Sequence, residues 1–508
     1  ALRHAHLERG VTMHSDETSA GRDEGGETVK VSRDWLSPYA DLDFRPPRPT
    51  AKGQVELASL RGTGGVVITG RTQQGDSPPV ASRMAADQVT AVFGDTQALT
   101  KAIGTGHAVL EQTTASGVKQ TTSGDRLEAN FGAPSSTPAQ SGIRSHNRQA
   151  PAGGAQIQSA IVDGNVVLAQ EPAQKPGQPQ DAGMRATAGK AVYEGAGEWV
   201  HLSDNPRVED GGLQLTADKV DFSQESGDAF AHGNVKATWV SAPARPTAQS
   251  GGGDAPGSLV LGGQGAAHVI ASDAQLHRAT GEATFRGKAR LWQLANSISA
   301  PVIVLDRARQ TLVARSTSAS DPVKVVMLSA GGALRSPTLS ANGAERMGHG
   351  TITEAAEAGH ASPSVIRVRG GDLKYSEAER KAVMRGGAGG VVAEAGSATS
   401  TSNQLELLLL PPGNHAARDG GAAQVDRLTA SGHVVVSAGG RRGTGERLVY
   451  SSQTDEYVLT GTAADPPKMT DAARGTVTGD SLIFNSRDDS VSIEGGGRKT
   501  LTETIAPK

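Results

Sequence analysis

The chain contains no cysteine in 508 residues. A disulfide framework, a thiolate metal site and a cysteine nucleophile are thereby excluded. Aromatic residues make up 3 % and hydrophobic residues 36 %, so the interior is lean and better spread along the chain than gathered into one large globule. No sign of charge dominates: 50 basic residues stand against 53 acidic ones, a formal net charge of −3. Nucleic-acid binding by bulk electrostatics is excluded on that balance, because counterion release needs a surplus of Lys and Arg. Long apolar runs are missing too. None is longer than Leu407 to Leu410, which stops at Pro411-Pro412, far short of the roughly 18 residues of a membrane-spanning helix. The reading is a soluble chain. It starts at Ala1, which fits a processed or truncated start and leaves open an N-terminal anchor ahead of it.

What is abundant is glycine, 65 residues, and repetition. The clearest unit runs from Leu215 to Trp239: an alternating apolar/polar run, a polar turn, and a second alternating run through a glycine. The plan recurs from Gly443 to Met469 and from Thr476 to Gly496. Asp218 to Gly233, Glu446 to Gly461 and Asp480 to Gly495 share one spacing, read here as a common register. Weaker copies raise the number of units to about ten. Each reads as a β-hairpin, because period-2 alternation over five or six residues marks a half-buried strand and clusters such as Ser223–Gly227 are turn chemistry. No long stretch has a capped 3.6-residue period, so little helix is expected.

Alternate residues of a strand share a face. On that parity one apolar face is expected to carry Val162, Val166 and Leu168; Val220 and Phe222 with Val235; Phe285 and Leu291; Leu428, Val434 and Val436; Leu448 and Tyr450; Leu482 and Phe484; and Val491 with Ile493. The opposite face is polar. Inner positions are often small (Ala229, Ala231, Ala283, Ala289), which leaves room for a guest in a lumen; a plain solenoid or sandwich core without a guest is the other reading. Asp321-Pro322 and Asp465-Pro466-Pro467 are expected at corners where the chain changes sheet, since proline cannot donate to a ladder.

The organisation expected is an N-terminal segment, 1–50, partly irregular; hairpin repeats over 51–329 with flexible inserts near 132–155, 171–183 and 241–258; a low-complexity linker over 330–362; and further repeats over 363–508 with an insert near 411–423. The inserts are rich in Pro, Gly, Ser and Ala and cannot bury enough surface to order themselves.

The pattern of an acid, apolar-x-aromatic, a polar turn and Gly-Asn-Val resembles the OstA-like (LptA) family of lipopolysaccharide-transport proteins. It is carried by Asp218-Lys219-Val220-Asp221-Phe222 with Gly233-Asn234-Val235, by Gly479-Asp480-Ser481-Leu482-Ile483-Phe484, and by Gly164-Asn165-Val166 and Asp204-Asn205-Pro206-Arg207-Val208. It extends from about residue 50 onward and is strongest over 186–239 and 424–497. The resemblance implies an all-β fold, an elongated twisted β-jelly roll whose stacked V-shaped strands enclose an apolar groove. It implies a periplasmic lipid-transport bridge that holds lipopolysaccharide or a related glycolipid by its acyl chains and joins other jelly-roll components through edge strands. The chain is much longer than a single-module bridge. The rival from the residues alone is a structural or adhesive cell-surface β-solenoid with a dry core.

No catalytic constellation is found, so the chain is read as a non-enzyme without cofactor or metal. His4 and His6 form a lone His-x-His, read as a frayed terminus because no clustered carboxylate or third His follows. Gly-rich pieces such as Arg61–Gly65 lack the strand-to-helix context of a phosphate loop, and there is no Gly-x-Ser-x-Gly elbow. Asp488-Asp489 and Asp41-x-Asp43 are read as solvated turn residues. Trp199, Trp239 and Trp292 either cover the groove margin or serve ordinary packing.

Overall fold

A computed structural model describes residues 2–19, 29–45, 56–75, 79–94, 99–113, 117–132, 156–173, 183–195, 198–224, 226–239, 266–329, 364–410, 425–454, 456–472, 475–485, 491–495 and 501–503. Among them every regular element is a β-strand, from His4–Ser19 to Leu501–Glu503. The fold is an all-β jelly roll. The chain divides into two compact units, Ala1–Val235 and Lys236–Lys508.

In the first unit the strands His4–Ser19, Val29–Arg45, Glu56–Gln74, Val80–Phe93, Leu99–Thr113, Lys119–Gly132, Gln156–Glu171 and Met184–Glu194 each pair antiparallel with the next. All these ladders shift register near their middle, as between Thr105 and Ala108 or between Asp163 and Val166. Each strand is therefore bent, and its two halves belong to two different faces. After Met184–Glu194 the bend becomes a break. That strand pairs by one half with Trp199–Ser203 and by the other with Arg207–Asp210. These pair onward with Lys219–Ser223 and Leu213–Thr216 respectively.

The second unit follows the same plan. Asn296–Asp306 pairs with Thr311–Arg315 along one half and with Val323–Ser329 along the other. One sheet continues through Asp372–Ser376, Lys381–Arg385 and Gln404–Leu409. The facing sheet continues through Ser364–Gly370, Val391–Ala395 and Ala398–Ser402. Val425–Ala438 spans both, pairing with Gln404–Leu409 and with Ala398–Ser402. Asp321-Pro322 and Asp465-Pro466-Pro467 lie where one sheet hands the chain to the other, the corner positions expected of them.

The corner itself has a recurring chemistry. Gly106-His107, Gly164-Asn165, Gly233-Asn234, Gly287-Lys288 and Gly432-His433 all have two successive positive φ angles, for example 72° and 48° at Gly233 and Asn234. A left-handed pair swings the strand out of one sheet and into the next. The neighbouring strand supplies a clamp. Asn234 Nδ2 donates to both carboxylate oxygens of Asp218 at 3.1 and 3.0 Å, and Asn165 does the same to Asp125 at 3.2 and 3.0 Å. His107 Nδ1 lies 3.0 Å from Asp87. The Asp218 amide donates to the carbonyls of both His232 and Gly233. A Cβ on Gly106, Gly164 or Gly233 would overlap the clamping carboxylate, so space as well as φ demands glycine there. The corner consumes two residues, and alternation keeps its face through it. Phe285, Ala289 and Leu291 are all buried, as are Leu428, Ala430 and Val434.

The shared acid-to-glycine spacing is a common register: Lys219 faces His232, Arg447 faces Thr460 and Ser481 faces Glu494, which sets Asp218, Glu446 and Asp480 one step beyond, level with Gly233, Gly461 and Gly495. The contacts at that position differ. The Asp218 carboxylate receives the Asn234 amide group, Glu446 accepts from the His433 amide at 3.3 Å, and the Asp480 amide donates to the Glu494 carbonyl at 3.0 Å as the Asp218 amide does to that of His232.

The ends of four inserts are paired: Gly132 with Gln156, Gln170 with Met184, Ser329 with Ser364, and Leu409 with Val425. The expected inserts near 132–155, 171–183, 241–258 and 411–423 lie largely outside the described residues, as do 330–362 and Asp488-Asp489. Because Val323–Ser329 and Ser364–Gly370 form one ladder, 330–362 connects a hairpin rather than linking two domains.

The N-terminal 50 residues, expected to be partly irregular, contain two long paired strands. The terminus is not frayed at His4 and His6, and Asp41 and Asp43 are strand residues rather than turn residues. Directly opposed register puts His4 against Asp43, His6 against Asp41 and His14 against Asp34. The ring nitrogens lie 2.9, 2.6 and 2.6 Å from those carboxylates. Glu8 and Asp16 flank His6 and His14 at 3.1 and 3.0 Å, and Arg61 stands opposite Asp41 on the third strand. Among the described residues no group of three or more such side chains is placed to hold a metal ion.

Two predictions follow from these contacts. Hydrogen bonds to Asp41 and then Glu8 raise the His6 pKa above its ordinary 6.5, and bonds to Asp34 and then Asp16 raise that of His14. Bonds to His14 and His4 lower Asp16 and Asp43 below 3.8. The raised histidines contribute fully below pH 6.5 and lose the contribution as pH rises through their folded values; the lowered aspartates contribute above 3.8 and lose it as pH falls through theirs. The first hairpin is thus held best between those limits. An NMR titration should place His6 above an exposed histidine, and Asp41→Asn should bring it down; an unmoved His6 would refute the pairing. Separately, Gly233→Ala should weaken amide-exchange protection of Lys219–Ser223 and Ala229–Trp239 by about 1–3 kcal/mol. Gly387→Ala, where φ is not positive and the nearest atom is 3.8 Å away, should change protection by no more than about 0.5 kcal/mol. Equal effects at both positions would show that the corner tolerates a side chain.

Candidate functional site

The inward faces of the two sheets meet in the interior, and side-chain size decides whether they close. Between residues 325 and 407 one wall presents Val325, Met327 and Val368, and the other Leu373, Met384, Leu405 and Leu407. They leave a residual void of about 10 Å³. Farther along the second unit the facing wall changes to Ala398, Ala438 and Gly443 opposite Leu448, Leu459 and Leu482. There an apolar cavity of about 90 Å³ opens, lined also by Val436, Tyr457, Met469, Phe484 and Arg441. Truncated side chains on one wall create the space. An empty cavity of this size costs on the order of 2 kcal/mol in lost packing, which an apolar occupant recovers.

Strand periodicity builds the walls. Leu448 and Tyr450 lie on Arg441–Ser451, Tyr457 and Leu459 on Glu456–Thr460, and Leu482 and Phe484 on Ser481–Asn485; the register matches Leu448 to Leu459 and Leu459 to Leu482. Tyr450, Tyr457 and Phe484 follow one another with ring centroids 4.7 and 6.4 Å apart and the rings tilted by 33° and 56°, and Tyr457 and Phe484 line one side of the cavity. Gly443 carries no side chain, and a Cβ there would come within 3.2 Å of Leu459 Cδ2.

Of the residues expected on the apolar face, Val162, Val166, Val220, Phe222, Val235, Phe285, Leu291, Leu428, Val434, Leu448, Tyr450 and Leu482 are buried. Leu168, Val436, Phe484, Val491 and Ile493 are half-buried. The cavity brings together Val436, Leu448, Leu482 and Phe484. The others lie elsewhere along the two units. Sequence parity missed Tyr457, Leu459 and Met469, although Tyr457 and Leu459 carry the same alternation and were detectable by it. Trp239 packs edge-on against Phe285 at 5.8 Å, Trp199 lies tilted against Phe230 at 5.8 Å, and Trp292 stacks on His268 at 5.2 Å.

The single charged lining residue is Arg441. It follows the tight turn Gly439-Gly440, whose φ angles of 58° and 82° fit the two-residue hairpin loop that needs left-handed residues at both positions. Its side chain is 10 % exposed and its Nε donates to Asp471 Oδ2 at 3.3 Å. Its guanidinium carbon lies 5.9 Å over the Phe484 ring. Among the described residues no helix is long and apolar enough to cross a membrane.

Residues 367–490 match the family model described as LptA/(LptD N-terminal domain) LPS transport protein. No curated protein matches the chain. The matched segment contains every residue that lines the cavity and overlaps the stronger C-terminal part of the resemblance read from sequence. Residues 186–239, the other strong part, fall outside it. This part of the chain is thus similar to lipopolysaccharide-transport proteins of the LptA/LptD N-terminal type, and the match supports a role in lipopolysaccharide transport.

Proposed function

We propose that the chain is a periplasmic lipid-transport bridge that holds lipopolysaccharide acyl chains in an apolar groove between its sheets and passes them toward the outer membrane without catalysis. The observation that carries this reading is the apolar cavity between Ala398, Ala438 and Gly443 on one wall and Leu448, Leu459 and Leu482 on the other, inside the segment matched to that family. Exposing a methylene to water costs roughly 0.8 kcal/mol, so a twelve-carbon chain costs about 10 kcal/mol. A groove removes that penalty along the path, and similar successive sites keep the path level where one tight pocket would trap the cargo. The energy for direction comes from elsewhere.

In this reading the buried and half-buried residues of the apolar face, from Val162 to Ile493, form the groove wall, and other jelly-roll components join through edge strands. Among the described residues His4–Ser19 pairs with Val29–Arg45 alone, and an edge strand presents backbone groups to a further strand. A second reading, a dry-cored structural solenoid, draws on the close packing around Met327, Met384 and Leu405.

The test is site-specific photo-crosslinking in cells with labelled lipopolysaccharide, at Phe484 on the cavity wall and at Ile483 on the opposite parity. Adducts at 484 and not at 483 are expected; none at either, in a folded and abundant protein, would favour the dry core. Phe484→Glu and the cavity-filling Ala438→Leu should each cut adducts made from a probe at Val436 at least about tenfold, in line with 2 kcal/mol or more for a charge or lost volume in an apolar site. Undiminished loading in folded variants would refute the assignment.

A further inference from the structure

We propose that the outer face of one sheet of the second unit docks on the surface of a bilayer that contains anionic lipid, with Leu294 at its rim entering the bilayer. The proposal does not rest on the cargo reading, because it concerns side chains that point away from the interior. The face is formed by the stretches 267–270, 289–293, 296–300, 323–329 and 364–370, which pair in that order. Val269, Leu291, Ile298, Val325 and Val368 turn inward and are buried; the residues between them turn outward. Three strands are graded in the same way. Leu294, Trp292 and Arg290 follow one another back from the rim, as do Leu328, Val326 and Lys324, and Val365, Arg367 and Arg369. Each series is apolar at the rim and cationic four residues, about 13 Å, behind it. Ile270 lies opposite Arg290, and Leu294, Ile270 and Val365 are 52, 38 and 37 % exposed. Among the described residues these stretches carry four outward cations and no carboxylate. Glu394, on the next strand, lies 3.4 Å from Arg369. The whole chain has a net charge of −3, so the cationic surplus is local.

Leu294 costs the free protein stability. It stands at the hairpin tip between Gln293 and Asn296 with φ at 51°, a left-handed position that suits glycine and that a bulky side chain occupies under strain. Half of its apolar surface is left in water besides. The tip is nonetheless fixed, because buried Asn296 accepts from the Leu328 amide at 3.0 Å, and Leu328 is the register partner of Val365. A rigid apolar rim is therefore held outward. Trp292 comes one step behind it, with the Arg290 guanidinium 5.8 Å over its ring, and the remaining cations flank that level. A bilayer changes in the same order with height, from acyl chains through an interface that favours indole to charged head groups. A protein partner requires no such grading by depth.

The experiment measures cosedimentation of the full chain with vesicles of phosphatidylcholine alone and of phosphatidylcholine mixed with phosphatidylglycerol. Wild-type protein should partition onto the mixed vesicles at least about tenfold more strongly, and added salt should shrink the difference. Lys324→Gln and Arg369→Gln should each weaken that binding about fivefold, the attraction of one cation to an anionic surface. Leu294→Gly should weaken it about tenfold and leave thermal stability unchanged or raised, because glycine fits the φ of the tip. Leu408→Ser removes an exposed leucine from the facing sheet and should change nothing. Ala438→Leu, which fills the cavity, should bind vesicles as the wild type does, so loss of cargo loading and loss of docking are read separately. Equal partition onto the two vesicles, or undiminished binding by folded Leu294→Gly, overturns the proposal. Absence of binding to either vesicle also overturns it and leaves the face to a protein partner.

Discussion

The constraint on which the rest depends is the clamped left-handed corner. A β-strand has no inexpensive way to change direction sharply while keeping its ladder, because non-glycine residues avoid positive φ and every skipped pair leaves backbone groups unsatisfied. Here glycine takes the first left-handed position and a side chain from the next strand holds the second. At Gly233-Asn234 the Asp218 carboxylate receives the Asn234 amide while the Asp218 backbone amide serves the two carbonyls exposed by the bend. The same arrangement with other atoms recurs at Asn403, whose amide donates to the carbonyls of Ser431 and Gly432. Because each clamp reaches to a neighbouring strand, corners align from strand to strand, and two facing sheets result from one continuous antiparallel run.

Once corners align, the residue after each is thrown inward. Ala108, Val166, Val235, Ala289 and Val434 occupy that position and are essentially inaccessible. The interior is then a line of alternating positions contributed by successive strands, and its width depends on side-chain volume rather than on any change of backbone. Val325, Met327 and Val368 fill it; Ala398, Ala438 and Gly443 open it. A few methylenes of side chain separate a sealed core from a cavity. The space in the interior is therefore a local property of the second unit, set residue by residue.

Much of this was legible in the chain. The strands, the shared face of Leu482 and Phe484, and the Gly-Asn-Val triplet with its acid at Asp218 follow from alternation and turn chemistry. Parity survived the corner because the bulge takes two residues and not one. Other features were hidden for physical reasons. Asp125 clamps Asn165 across a long hairpin insert, a partnership fixed by register and invisible to spacing. The pairing of His4 and His6 with Asp43 and Asp41 likewise depends on a ladder between distant segments. Whether the interior is open required knowing which small residues face which leucines across two sheets, and Arg441 became visible as a site residue only after the turn had placed it there.

The two interior regimes also bear on how a lipid conduit and a dry solenoid are to be distinguished. Both are built on the same corner and the same alternation, so fold alone does not separate them. A dry core gains from every added methylene until strain sets in, and large residues on both walls satisfy it. A conduit must forgo that packing and leave a cavity whose cost is recovered only on occupation. Around Ala398, Ala438 and Gly443 the chain does forgo it. An empty cavity does not stabilise the protein. Its place there, and not along the closely packed stretch beside it, is what an occupant would account for.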